Sequence, residues 1–218
     1  MVTTGIDNKT LTLYPSPTGT GPLLLQNGAE GNGLSQGLNC HLLCIEGMDW
    51  ERELTPWPEK NAFRGAPYGG EAQAYLGFIL KEALPWARAQ LGGDSPGAYI
   101  LGYSLAGLFA LYALYESDAF LGGGSVSGSV WYGDFLEYCE ARKPHAPKGV
   151  YLSLGDKEKN TRNPVLCQVE TCTLRLRDTL KGQGVPVIFE SNPGNHFFEP
   201  EKRCHKAARW LLQQDASL

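Results

Sequence analysis

The chain has 218 residues, of which 42% are hydrophobic and 19% charged, and its formal net charge at pH 7 is −4. This length suits one sizeable core, so we expect a single domain over residues 1–218, and the dispersed charges exclude a basic surface for binding nucleic acid. The N-terminus lacks a basic region followed by an apolar run, and no apolar segment reaches membrane-spanning length, so we expect a soluble cytoplasmic protein without a membrane partner. The sequence indicates no oligomeric state.

Short apolar runs alternate with helical patterns along the chain, which is typical of an α/β fold with a mainly parallel sheet and helices on both faces. The predicted strands, beginning with an edge strand, cover residues 11–14, 22–26, 40–45, 98–101, 122–126, 150–154 and 185–189. The predicted helices cover residues 71–91, 105–115, 135–141, 164–180 and 201–214. Pro85 is expected to kink or divide the first helix. No inserted segment has the size of a large cap domain.

The six cysteines predict reduced, buried thiols rather than disulfides, because the chain is long for a disulfide scaffold and carries no secretory signal. Their spacing matches no zinc site, so no metal is expected. They are Cys40, Cys44, Cys139, Cys167, Cys172 and Cys204.

An apolar strand runs directly into a serine and then into an apolar helix at residues 99–112. Ser104 lies between Gly102 and Ala106, and Gly107 follows. This pattern is typical of a nucleophile elbow, in which the small neighbours allow strand and helix to approach closely. The sequence therefore predicts Ser104 as a catalytic nucleophile.

A serine nucleophile needs a general base and an orienting acid, and in this type of fold the acid precedes the histidine. His196 is predicted as the base, because it follows the last predicted strand, at the edge of the sheet where ligands bind. Glu158 is the first choice for the acid and Asp156 the second, since both follow the strand at 150–154. Asp134 is the third. Each carboxylate also fits an ordinary solvated side chain or a helix cap.

The tetrahedral oxyanion of ester hydrolysis needs hydrogen-bond donors. We predict the N–H of Leu105 as one donor. The second is expected from the glycine-rich loop at 26–33, where Ala29 is the first choice and Gly28 and Glu30 are its neighbours. The simpler interpretation of this loop is a flexible turn.

Two loops, at residues 47–70 and 128–133, are longer than their connections require and carry tryptophans. Together with Phe197 beside His196, these aromatics indicate an aromatic-rimmed pocket. The alternative is that they cover the core, as Trp57 also would. The predicted substrate contacts are Glu30, Trp50, Trp131 and Phe197.

With these motifs the chain resembles the putative esterase family of the α/β-hydrolase superfamily, which includes esterase D-like S-formylglutathione hydrolases and enterochelin esterases. The resemblance extends from about residue 11 to residue 212, and its marks are the segments 23–33, 49–57, 102–107, 125–131, 154–158 and 194–197. It implies an α/β-hydrolase fold and a serine carboxylic ester hydrolase with the triad Ser104, Glu158 and His196. It also implies a small-molecule ester substrate and no metal or organic cofactor.

Two departures from the family pattern are visible. Ala106 replaces the commoner glycine, which is sterically harmless, and the β-structure before the core is short. The same triad also fits a thioesterase, an acyltransferase or a peptidase. A non-catalytic binding module on a hydrolase fold is the alternative from another class.

Overall fold

The apolar runs of the sequence form a central sheet in the computed structural model, which describes residues 1–28, 31–63, 65–92, 96–146 and 148–214. The strands are β1 (Val2–Ile6), β2 (Lys9–Tyr14), β3 (Leu23–Asn27), β4 (His41–Glu46), β5 (Pro58–Glu59), β6 (Tyr68–Gly69), β7 (Ala98–Tyr103), β8 (Phe120–Val126), β9 (Gly149–Gly155) and β10 (Val187–Asn192). The α-helices are α1 (Gly31–Leu34), α2 (Trp50–Glu53), α3 (Ala72–Phe78), α4 (Leu84–Gln90), α5 (Leu105–Glu116), α6 (Phe135–Glu140), α7 (Val169–Gly182) and α8 (Pro200–Gln213).

Eight strands pair in the order β1-β2-β4-β3-β7-β8-β9-β10, and β5 pairs with β6 in a separate ribbon. The pairs β1–β2 and β2–β4 are antiparallel, whereas the pairs from β4 through β3 to β10 are parallel. This is the α/β-hydrolase arrangement, so the predicted fold class is confirmed. All the parallel strands end at one edge of the sheet, where side chains from several loops can converge.

The sheet is covered on both faces, as predicted. Ile100 of β7 packs into a core with α3 to α7, while its neighbours Tyr99 and Leu101 face a second core with α1 and α8. Because alternate residues of a strand point to opposite faces, a strand buried on both sides is apolar throughout. This explains why the central strands appeared as continuous apolar runs in the sequence.

The first strands differ from the prediction. Residues 11–14 were expected at the edge of the sheet, but β1 pairs outside β2 and takes the edge position. The strand β1 was not predicted, because its Val-Thr-Thr-Gly-Ile sequence is largely exposed and carries no apolar run.

Pro85 divides the helix predicted at 71–91, as expected. A π-helical turn at Ile79–Ala83 joins α3 to α4, and Pro85 lies in the first turn of α4. Proline has no N–H to donate and its ring collides with the carbonyl four residues earlier, so the wider turn precedes it.

Helix α8 lies directly on strand β8, which carries three consecutive glycines, Gly122 to Gly124. A Cβ atom at Gly124 would lie 2.5 Å from Leu101 Cδ1 and 3.5 Å from the Cβ of Ala207 in α8. The close conflict is thus with Leu101 of β7, whereas a methyl group at Gly124 would meet α8 at ordinary van der Waals distance and only a longer side chain would enter the helix.

The cysteines are free, and Cys40, Cys44, Cys139 and Cys204 are buried while Cys167 is exposed. Burial raises the pKa of Cys40 to about 11 and that of Cys44 to about 12. Within the described ranges, no helix has both the length and the apolar character that crossing a bilayer requires.

Candidate active site

Ser104 occupies a strained turn between β7 and α5. Its backbone angles are φ 57° and ψ −123°, a region that costs a non-glycine residue about 1–3 kcal/mol. The surrounding backbone holds this conformation, since Ser104 N–H donates to the Val126 carbonyl at 3.1 Å and the Ser104 carbonyl accepts from Ser129 N–H at 3.1 Å. The serine side chain makes no capping hydrogen bond to α5, so its hydroxyl is not engaged by the helix.

The small residues of the elbow are required by the packing. A Cβ atom at Gly102 would collide with the carbonyl of Ala106, and one at Gly107 would lie 2.9 Å from Ser125 Oγ. Ala106 itself is fully buried without such a conflict. The sequence interpretation of this turn as a strand–serine–helix elbow agrees with the observed geometry.

Glu158 and His196 come from the loops that follow β9 and β10. A turn from Glu158 N–H to the Gly155 carbonyl, at 3.1 Å, folds the glutamate back toward the end of the sheet. His196 Nδ1 lies 2.9 Å from Glu158 Oε2. Because a carboxylate can only accept, Nδ1 carries the proton in this contact and Nε2 is left as the acceptor nitrogen of the neutral ring.

The other oxygen of Glu158 accepts three further hydrogen bonds. Oε1 lies 2.6 Å from Gly155 N, 2.7 Å from Ser127 Oγ and 3.1 Å from Arg203 Nη1. The carboxylate is only 3% exposed. Burial raises the pKa of Glu158, but the hydrogen bonds from His196, Ser127 and the Gly155 N–H outweigh it, so that the net pKa lies below its ordinary value.

Arg203 of α8 is buried beside this carboxylate, with 2% exposure, and the sequence analysis did not predict its role. Its Nη2 donates to the carbonyls of Pro193 and Asn195, at 2.8 and 3.0 Å, in the loop that carries His196. The signal was present: the apolar positions 204, 207, 208 and 211 of α8 place residue 203 on the buried stripe of the helix.

Tyr103 also holds the histidine loop. Its hydroxyl donates to the backbone carbonyl of His196, and the two rings lie 5.3 Å apart. Burial raises the pKa of Tyr103, so the phenol stays a donor at neutral pH. We use the name acid network for the four residues Glu158, Ser127, Arg203 and Tyr103.

Asp156, the second choice for the acid, has a different contact. Its Oδ1 accepts the N–H of Gly194 at 2.8 Å, which ties the loop after β9 to the histidine loop. Asp134, the third choice, is the residue before α6 and has a left-handed backbone conformation. In the described part of the chain, neither carboxylate has a hydrogen bond to His196, so the geometry pairs the histidine with Glu158.

A cavity of about 230 Å³ joins these groups. Ser104, His196 and Glu158 all line it, together with Phe63, Trp131 and Phe197. The last three form what we call the aromatic rim. Phe63 is 55% and Phe197 is 85% exposed, and Phe63 meets Trp131 edge-on at 6.3 Å.

Trp50 and Trp57 are not among the residues that line this cavity. Trp50 is exposed next to Gly28, where a Cβ atom would lie 3.9 Å from its ring. Trp57 covers the core, since its indole N–H donates to the Gly133 carbonyl at 3.0 Å. Leu105 is the first residue of α5, so its N–H has no acceptor within the helix. Ala29 and Glu30 lie outside the described residues, and their roles stay predictions.

Within the described ranges, no group of three His, Cys, Asp or Glu side chains is arranged to hold a metal ion. No hydrogen bond between Ser104 Oγ and the His196 ring occurs among those residues either. Such catalytic contacts are often long before substrate binds.

Comparison with solved structures shows the same fold at low sequence identity. An IroE-like serine hydrolase from Shewanella oneidensis is 15% identical with a TM-score of 0.75, over 94% of this chain and 76% of that one. The siderophore hydrolase EstA from Aspergillus nidulans is 16% identical with a TM-score of 0.74, over 98% and 93%. The enterobactin esterase FES from Shigella flexneri is 15% identical with a TM-score of 0.65, over 94% and 55%.

No curated protein matches the chain significantly in sequence. A family model does match: the family described as "Putative esterase" covers residues 45–200, which include Ser104, Glu158 and His196. That range is well over half of the chain. The chain therefore belongs to the putative esterase family, and the protein is an enzyme of the hydrolase type.

Proposed function

We propose that the protein is a serine carboxylic ester hydrolase in which Ser104, His196 and Glu158 act as a catalytic triad. The observation that carries the proposal is the 2.9 Å contact between His196 Nδ1 and Glu158 Oε2, in a cavity that Ser104 also lines. This contact leaves Nε2 of His196 as the basic nitrogen, which is the protonation pattern that a serine nucleophile needs.

In the first half of the reaction, Ser104 Oγ attacks the ester carbonyl while His196 accepts its proton. Glu158 keeps the ring in the correct tautomer and stabilises the imidazolium that forms. The tetrahedral intermediate collapses when His196 protonates the departing alkoxide, which leaves as the alcohol. The acyl group is then bound to Ser104 as an ester.

In the second half, His196 takes a proton from the water that attacks the acyl-enzyme, and it gives this proton to Ser104 Oγ as the acyl–Oγ bond breaks and the carboxylic acid is released. The oxyanion of both tetrahedral intermediates accepts the N–H of Leu105. The glycine-rich loop after β3, where Ala29 is the first choice, supplies the second donor. Each such donor contributes about 3–4 kcal/mol to the stability of the transition state.

The substrate we propose is a small-molecule ester with an apolar or aromatic part. The aromatic rim supports this, because its exposed rings offer flat apolar surface next to Ser104. Siderophores and enterobactin belong in a test panel, since EstA is named a siderophore hydrolase and FES an enterobactin esterase. Trp131 and Phe197 are the proposed substrate contacts at this rim.

Covalent labelling tests the proposal most directly. A fluorophosphonate probe is expected to modify Ser104 and to stop hydrolysis of short p-nitrophenyl esters, whereas Ser104→Ala stays folded, is not labelled and does not hydrolyse them. Active enzyme without labelling, or unchanged hydrolysis by Ser104→Ala, would contradict the triad. Added alcohol distinguishes the related activities, because an acyltransferase forms a new ester where a hydrolase releases the free acid.

A further inference from the structure

We infer that Arg203 is a positioning residue that holds the triad acid and the histidine loop in register through a single buried guanidinium. The inference rests on the proposed function, since it concerns how Glu158 and His196 are kept together. Arg203 belongs to α8, which is distant in sequence from both loops that it contacts.

The guanidinium contacts the loops after β9 and β10 and also Ser127, which follows β8. Nη1 donates to Glu158 Oε1 and to Ser127 Oγ, both at 3.1 Å, beside the loop after β9. Nη2 donates to the Pro193 and Asn195 carbonyls in the loop after β10. A planar fork can reach acceptors on both sides at fixed angles, which a lysine ammonium cannot do. The two loops are thus joined within one residue of His196.

The same contacts decide which oxygen of Glu158 meets the histidine. Oε1 already accepts from Gly155, Ser127 and Arg203, so Oε2 is the oxygen left for His196. A buried carboxylate without its cationic partner would be strongly destabilised. Arg203 therefore supplies the cationic partner of the buried carboxylate and fixes its orientation.

Loss of this cation has a predictable effect on pH dependence. The titratable and charged groups that face Glu158 are the His196 ring and the Arg203 guanidinium. The Tyr103 hydroxyl lies next to Arg203, and Lys157 precedes Glu158 in the chain. Without Arg203, the His196–Glu158 pair takes up a proton more readily, because a neighbouring positive charge no longer opposes it. The acid limb of the activity profile then moves to higher pH.

The test compares Arg203→Met, Arg203→Lys and the control Arg209→Met. Arg209 lies on the same helix and is exposed, with His205 as its hydrogen-bond partner at 3.5 Å. For each variant, kcat and KM for a p-nitrophenyl ester are measured across pH. The value of kcat is calculated per mole of folded protein, and circular dichroism measures the folded fraction. We expect Arg203→Met to lower kcat roughly 100-fold with KM within about threefold, as misplaced catalytic groups do.

Arg203→Lys is expected to lose roughly tenfold in kcat, because it retains the charge without the fork. The acid limb should move up in Arg203→Met and stay in place in Arg209→Met. A purely structural role would reduce the folded fraction and leave that limb unchanged. If Arg203→Met does not fold, Arg203→Lys supplies the comparison.

Wild-type kcat in Arg203→Lys, or wild-type kcat together with an unmoved acid limb in Arg203→Met, would overturn the inference. Fluorophosphonate labelling of the wild type separates this result from failure of the proposed function. If the wild type is labelled at Ser104 while the Arg203 variants keep wild-type kcat and acid limb, only the inference about Arg203 is contradicted. If the wild type is active but is not labelled, the proposed triad is contradicted as well.

Discussion

The two sides of the cavity differ in how they are held. The acid network is largely buried, and the hydrogen bonds that join it involve two strands, three loops and α8. The aromatic rim is more open to solvent, since Phe63 is 55% and Phe197 is 85% exposed. Buried polar groups in a low dielectric have large energetic consequences when they are disturbed, whereas exposed rings are free to adjust at small cost.

This difference separates chemistry from recognition. The residues of the acid network must keep fixed distances, and their hydrogen bonds allow them a single arrangement. The groups that meet a substrate lie where a change of ring or rotamer costs the fold little. Substitutions on the two sides should therefore differ in kind, with losses of turnover or folding on one side and losses of affinity on the other.

The largest expected effect is at the acid itself. Glu158→Gln should lower kcat by about 10³- to 10⁴-fold, because an amide no longer holds the His196 ring in the required tautomer. Asp156→Asn should stay within about tenfold, since an asparagine oxygen still accepts the Gly194 N–H. Steady-state kinetics of both variants with one p-nitrophenyl ester measure this. The opposite ranking would assign the acid to Asp156.

A smaller effect, on folding rather than turnover, is expected at the elbow. Gly102→Ala places a methyl group against the Ala106 carbonyl and should destabilise the protein by about 2–4 kcal/mol. Gly77→Ala is the matched control. It lies in α3 with nothing within 4 Å of the new Cβ, so it should stabilise by about 0.5–1 kcal/mol. Urea unfolding compares the two, and equal stabilities would show that the elbow relaxes freely.

The smallest effect is expected at the aromatic rim. Phe197→Ala should raise KM for an aryl ester by about three- to tenfold, which corresponds to about 1 kcal/mol of lost apolar contact. Its kcat should stay within about threefold and its unfolding free energy within about 0.5 kcal/mol, since the ring is 85% exposed. Ile188→Ala, an exposed apolar residue on β10, is the control and should leave KM unchanged. An unaltered KM in Phe197→Ala would remove this ring from the substrate site.

Much of the fold was accessible from the sequence, because the strands that matter are buried on both faces. Their apolar runs were visible without knowledge of their partners. The edge strand β1 could not be predicted in this way, because it pairs through its backbone and its side chains are mostly exposed. The three glycines of β8 also concealed where that strand begins, so its start was placed two residues late.

The site was only partly accessible. Ser104 and His196 follow from local pattern and chain order, but the contact between His196 and Glu158 depends on a turn that brings the glutamate back over Gly155. By sequence order alone, Asp156 fits the acid as well as Glu158 does, because both follow β9 and precede His196. The apolar stripe of α8 indicates that Arg203 is buried, but it does not indicate the partners, which lie 8, 10, 45 and 76 residues away along the chain.

The bare backbone of β8 has a consequence for the chemistry at the sheet edge. Gly124 lets α8 sit against the strand, with Ala207 and Leu211 as its nearest helical neighbours, and the same helix carries Arg203 one turn earlier. A side chain longer than a methyl group at residue 124 is therefore expected to displace α8 and, with it, the guanidinium of Arg203. The alignment of Glu158 with His196 thus depends on Gly124, a residue that has no side chain and touches neither of them.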